Sequence, residues 1–61
     1  MITRIYLEEQ PTKSIDYPDC YPTFIFERNK PTTVRIAPVK WAGKISADYL
    51  YEVISRIEVK P

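Results

Sequence analysis

Sixty-one residues with one cysteine (Cys20), no histidine and no apolar run near the roughly 20 residues that span a bilayer exclude an internal disulfide, a histidine-bearing zinc site and a transmembrane helix. A chain of this length buries only about 60% of the surface its unfolded form exposes, so its stability is marginal. The formal charge of +1 implies no polyelectrolyte partner for the chain as a whole, and the N-terminus lacks the apolar centre of a signal peptide.

These features describe one small soluble domain, residues 1–61, expected in the reducing cytoplasm. The initial Met and short tail fit a complete product. Six prolines against one glycine reduce the entropy of the unfolded chain and make a helix interior improbable wherever they fall.

The first predicted strand is Ile2-Thr3-Arg4-Ile5-Tyr6-Leu7, with Thr3, Ile5 and Leu7 on one face. Residues 8–22 carry no clear periodicity and read as a long loop, functional or wrapped over the core. A second strand, residues 23–28, places either Ile25 or the pair Phe24 and Phe26 inward. The larger apolar area of the aromatics favours the pair. The third strand, residues 33–37, turns Val34 and Ile36 inward and Arg35 outward. The intervening Asn29-Lys30-Pro31-Thr32 is turn chemistry of hairpin length, which predicts antiparallel pairing.

Past Pro38, residues 39–41 either continue as strand or bend into a loop closed by Gly43. Leu50, Val53, Ile54 and Ile57 then recur at helical spacing behind Ser46 as N-cap and Asp48 in the first turn, with Glu52 and Arg56 as an i,i+4 pair. This predicts a helix over 47–58. The expected fold is therefore α+β: a small antiparallel sheet of three to four strands with the C-terminal helix packed on one face. Its core would be Ile5, Leu7, Phe24, Phe26, Val34, Ile36, Leu50, Val53, Ile54 and Ile57.

Catalysis is not expected. General acid–base and nucleophilic chemistry lean on histidine, and the acids near Cys20 (Asp16, Asp19) disfavour a thiolate. Glu8 and Glu9, adjacent on a strand, point to opposite faces. Asp16 and Asp19 supply too few oxygens for calcium, and a single glycine cannot make a phosphate loop. No cofactor and no metal are expected.

Charge is unevenly spread. Five acids and one base (Lys13) lie between Glu8 and Glu27, whereas residues 28–44 hold five bases and no acid. The acidic segment, with Asp16, Tyr17, Asp19 and Tyr21 held between prolines, suits a partner-binding loop: tyrosines offer large contact area at small entropic cost. The basic segment, Arg28, Lys30, Arg35, Lys40 and Lys44 with Trp41, suits the phosphates and bases of a single-stranded RNA or DNA. Against each stands a plain reading, in which Tyr17 and Tyr21 cover the sheet and Trp41 fills the core.

The motifs Val34-Arg35-Ile36, Pro38, Ile45-Ser46 and residues 51–57 slightly resemble the carbon-storage-regulator family of small dimeric RNA-binding proteins. The chain lacks that family's glycine-bearing first hairpin and its spacings, so no residue role is carried over.

The expected function is non-catalytic protein binding, of the kind found in phage or mobile-element modulators and inhibitors of host proteins. Nucleic-acid binding is the alternative, and a structural subunit of a larger assembly the third reading. No membrane partner is expected. A homodimer would add stability to so small a domain, with Tyr49 and Tyr51 available to it.

Overall fold

A computed structural model of the chain describes residues 1–40 and 43–61. The described residues form six strands: β1 (Ile2–Leu7), β2 (Gln10–Pro18), β3 (Cys20–Glu27), β4 (Lys30–Pro38), β5 (Ala47–Leu50) and β6 (Ile54–Lys60). One 3₁₀ turn, Tyr51–Val53, separates the last two. The strands form two antiparallel three-stranded sheets, ordered β2-β1-β6 and β3-β4-β5. The thinnest dimension, 16 Å, accommodates two layers about 10 Å apart with a single stratum of side chains between them.

Each sheet has its most apolar strand in the middle. On β1, Thr3 and Ile5 are fully buried, and on β4 so are Val34 and Ile36, with Arg4 and Arg35 turned outward. This is the period-2 alternation expected for both segments. Cys20 completes the buried cluster, and Leu7, Tyr17, Ala47, Tyr49, Ile54 and Ile57 pack around it. Thr3 is the one buried polar side chain among the described residues. Its Oγ1 donates to the Cys20 carbonyl at 2.7 Å, tying the two sheets together through the core.

The chain changes sheet twice. Asp19 alone separates β2 from β3, with φ at 56°. Its N–H donates to the Met1 carbonyl at 2.7 Å, and its own carbonyl accepts the Val39 N–H at 2.9 Å. One residue is thereby bonded to both layers. A left-handed backbone suits the short polar side chain of Asp better than most. The 3₁₀ turn makes the second crossing.

The expected hairpin is present, with antiparallel pairing of β3 and β4, but its loop is Arg28-Asn29 rather than 29–32. Both residues have positive φ (52° and 66°), the conformation of a primed two-residue turn whose twist matches the flanking strands.

Three expectations are corrected. The helix over 47–58 does not exist, and the α+β architecture gives way to an all-strand one: residues 47–50 pair with β4, and 54–60 pair with β1. Val53, Ile54, Ile57 and Val59 are β-branched and favour extended backbone. Strand β1 would otherwise be left with an open edge beside the core. The residues read as helix signals take other roles. Asp48 pairs with Arg35 across strands, the Ser46 N–H donates to the Ile36 carbonyl at 2.8 Å, and the Arg56 guanidinium sits over the Tyr6 ring at 4.1 Å.

The long loop over 8–22 is also absent, replaced by the Glu8-Glu9 turn, β2 and the start of β3. Strand β2 is exposed along nearly its whole length, so no core face imposed an apolar period on it.

Finally, the expected core shrinks. Phe24, Phe26 and Leu50 are 46%, 60% and 59% exposed, and Val53 is exposed as well. Phe24 does lie opposite Val34 in the register, hence on its face, but on β3, an edge strand of its sheet, whereas Val34 is on the central one.

Candidate functional site

The four residues expected to form a partner-binding loop are strand and corner residues engaged in the fold. Asp16 on β2 faces Arg4 on β1 and accepts two hydrogen bonds from its guanidinium, at 2.8 and 3.0 Å. The fork geometry holds the Asp16 carboxyl below the usual carboxylate range and raises Arg4. Tyr17, on the opposite face of β2, is half-buried. Its ring meets Tyr49 edge-on at 6.4 Å, and the two hydroxyls share a hydrogen bond. Burial, then that bond, pushes Tyr49 up to about 12. Asp19 occupies the sheet-crossing corner, its carboxylate 3.9 Å from the Met1 amine. Tyr21 is on the outer side of β3, opposite Ala37 and 43% exposed. The four therefore point to different surfaces. Both Tyr–Pro bonds, at 17–18 and 21–22, are trans.

The basic segment is dispersed too. Arg28 and Lys30 lie at the tip of the β3–β4 hairpin, while Lys40 follows the far end of β4, about 26 Å away at some 3.3 Å per strand residue. Arg35, between them, donates to both oxygens of Asp48 at 2.9 and 3.1 Å, which raises its pKa and lowers that of Asp48. Much of its charge is thereby spent inside the sheet. Trp41 lies outside the described residues. Acids of one segment and bases of the other do come together: Glu27 is the cross-strand partner of Lys30, and Asp19, Lys40 and Lys44 line a cavity of about 380 Å³ beside Cys20 and Ser46. The Cys20 sulfur is buried, 3.5 Å from the Ser46 hydroxyl. Among the described residues no three metal-ligating side chains converge, and no helix is long and apolar enough to cross a membrane.

The surface that sequence reading missed is aromatic. Where β5 ends, the 3₁₀ turn brings Tyr51 against Phe24 of β3, edge to face with centroids 6.2 Å apart. Both rings remain 46% exposed. Tyr51 is a shared wall of two shallow cavities. One, about 270 Å³, is lined by Pro31, Thr32, Leu50 and Glu52; the other, about 220 Å³, by Phe24 and residues 54–57 of β6. With Leu50 and Phe26 adjoining in sequence, four of the chain's largest apolar side chains stand half out of the fold. A signal existed in the Phe24-Ile25-Phe26 run, because three successive large apolar residues on one strand cannot all face inward.

Comparison with protein-family models, with curated proteins and with solved structures finds no match.

Proposed function

We propose that the chain is a non-catalytic protein-binding domain whose docking surface is the cluster around Phe24, Tyr51 and Leu50. The observation that carries this reading is the half-exposed Phe24–Tyr51 pair with a concavity on either side of Tyr51. A small domain with so few fully buried apolar side chains gains stability from every ring it covers, so leaving these out points to a use for them. Aromatic side chains beside shallow pockets are what interface anchors consist of, and two rings braced against each other lose little further freedom on binding. This surface is preferred to the four residues Asp16, Tyr17, Asp19 and Tyr21, of which the first three are bonded within the fold and Tyr21 stands apart from them on the outer side of β3. The reading places the protein in the cytoplasm, where a lone thiol such as Cys20 stays reduced.

The test is affinity capture from the cell in which the protein acts, comparing the wild type with Tyr51→Ala and Leu50→Lys after nuclease treatment. Both positions are exposed, so circular dichroism should show an unchanged fold. Retention of a partner by the wild type and its loss in both variants is the expected result. Capture that survives both substitutions moves the docking surface elsewhere. Capture lost to nuclease alone favours nucleic-acid binding through Lys30, Lys40 and their neighbours instead.

A further inference from the structure

Strand β6 is an open edge of the first sheet. The other strand edges are guarded. Strand β2 carries Pro11, Lys13 and Pro18, β3 carries Pro22, and β5 has only four residues. Proline and lysine on an edge, or a very short edge, are the usual devices that stop a sheet from growing. The seven residues of β6, Ile-Ser-Arg-Ile-Glu-Val-Lys, contain no proline.

Which of its backbone groups face outward follows from the ladder. The Asp19 N–H bonds to the Met1 carbonyl, so Ile2 and Pro18 are a non-hydrogen-bonded pair. By alternation Thr3 and Ile5 direct their N–H and C=O groups to β2, and Ile2, Arg4 and Tyr6 direct theirs to β6. On β6 it is then Arg56, Glu58 and Lys60 that bond to β1. Ile57 and Val59 turn their N–H and C=O groups to the free edge, while Ser55 is the extra residue of a bulge, since the register steps from Tyr6 opposite Arg56 to Leu7 opposite Ile54. Ser55 and Val59 are exposed and Ile57 is half-buried.

We propose that this edge pairs with the same edge of a second copy of the chain, antiparallel and centred on Ile57. Strand β6 runs from 54 to 60, so this register overlaps its whole length. It sets Ile57 against Ile57 of the second copy as a hydrogen-bonded pair, and brings Val59 opposite the bulged Ser55 on either side. The joint then carries two backbone hydrogen bonds at the central Ile57 pair, with the outward groups of Val59 offering more at its two ends. The same register sets Arg56 against Glu58 of the second copy, twice by symmetry, at the non-hydrogen-bonded positions where side chains approach most closely. Both side chains are already placed for it on the outer face of the sheet. The Tyr6 hydroxyl donates to Glu58 at 3.0 Å and the Tyr6 ring supports Arg56. Neighbouring registers are opposed by charge. Centring on Glu58 puts Glu58 against itself and Arg56 against Lys60, and centring on Arg56 puts that guanidinium against itself. A symmetric interface must be self-complementary, and of these three registers only the one centred on Ile57 is. The product is one continuous six-stranded sheet, β2-β1-β6-β6-β1-β2.

The pairing goes beyond the protein-binding reading and shares residues 54–57 with one of its two cavities. Leu50 lines the other cavity and lies outside the joint, so Leu50→Lys should disturb partner capture and not the dimer, which keeps the two failures apart. Molar mass in solution, by light scattering or sedimentation at about 100 μM chain, should be twice 7.2 kDa for the wild type. Arg56→Glu and Glu58→Arg each place like charges opposite each other twice and should raise the dissociation constant at least about tenfold. An equimolar mixture of the two single variants should return to the doubled mass, since only the mixed pair opposes unlike charges. The double substitution in one chain should restore it likewise. A monomeric wild type at that concentration, single variants that still dimerise, or a mixture that stays monomeric would each overturn the proposal. Recovery in the mixture separates pairing from any effect of the substitutions on the fold.

Discussion

Thr3→Val tests the link between the two sheets. The Asp19 carbonyl accepts the Val39 N–H, which makes Cys20 and Pro38 a non-hydrogen-bonded pair, so the Cys20 carbonyl points away from β4. No ladder donor reaches it. The Thr3 hydroxyl supplies one at 2.7 Å, from a side chain with no exposed surface. Valine keeps the volume of threonine and leaves the buried carbonyl unpaired, at about 1–3 kcal/mol. A 61-residue domain of this kind has at most about 5 kcal/mol in total. The urea midpoint should therefore fall by roughly 1–3 M if the denaturant slope is about 1 kcal/mol per M, and the melting temperature by about 5–20 °C. Thr3→Ser retains the hydroxyl and loses one buried methyl, worth about 0.8 kcal/mol, so it should be the milder variant. Equilibrium urea unfolding followed by far-ultraviolet circular dichroism decides the matter. If Thr3→Val proves as stable as the wild type, or more stable than Thr3→Ser, the hydroxyl is not what joins the layers.

Two further predictions concern the hairpin and the ion pairs. Arg28 and Asn29 both hold positive φ, and arginine has no side-chain compensation for it. Replacing the pair by Asn-Gly, through Arg28→Asn and Asn29→Gly, should raise stability by about 1 kcal/mol, read as a higher urea midpoint at unchanged slope. The carboxyls of Asp16 and Asp48 titrate lower in the folded chain than in the unfolded one. Each therefore adds stability above its unfolded value, near 4, and that stability disappears as pH falls through the folded value. The urea midpoint should drop as pH falls below about 4, and the drop should be smaller in Asp16→Asn with Asp48→Asn. An equal drop in the double variant would assign acid sensitivity to other carboxyls. Both pairs are well exposed to solvent, so added salt should weaken the contribution.

Local pattern was a sufficient guide for the two central strands, each with one wet and one dry face. Residues 2–7 and 33–37 alternate cleanly because β1 and β4 are the central strands, each with one side against the core and the other carrying an arginine. The hairpin between β3 and β4 was legible from Asn29, a turn-former that does sit in the loop, although the reversal falls at Arg28-Asn29 and Pro31 is already in β4. Residues 10–18 gave no signal because β2 is wet on nearly every side chain, and a strand held by backbone bonds alone need not show a period. The proposed docking surface went unread for another cause. Phe24 looked like core by size, but it lies on an edge strand and is half exposed.

Residues 47–60 are where local pattern and global arrangement part. Leu50, Val53, Ile54 and Ile57 satisfy a helical period, and an isolated segment carries nothing that arbitrates between helix and strand beyond its β-branched content. The arbiter lies about fifty residues away in the chain: β1, with Ile2 opposite Lys60 and Ile5 opposite Ile57, has an edge that only these residues close. Composition, charge asymmetry and the alternation of the two central strands belong to the amino-acid order. The partner of β1, and with it the placing of Tyr51 beside Phe24, belongs to the assembled fold, because hydrogen bonds between strands remote in the chain depend on which edges the rest of the structure leaves open.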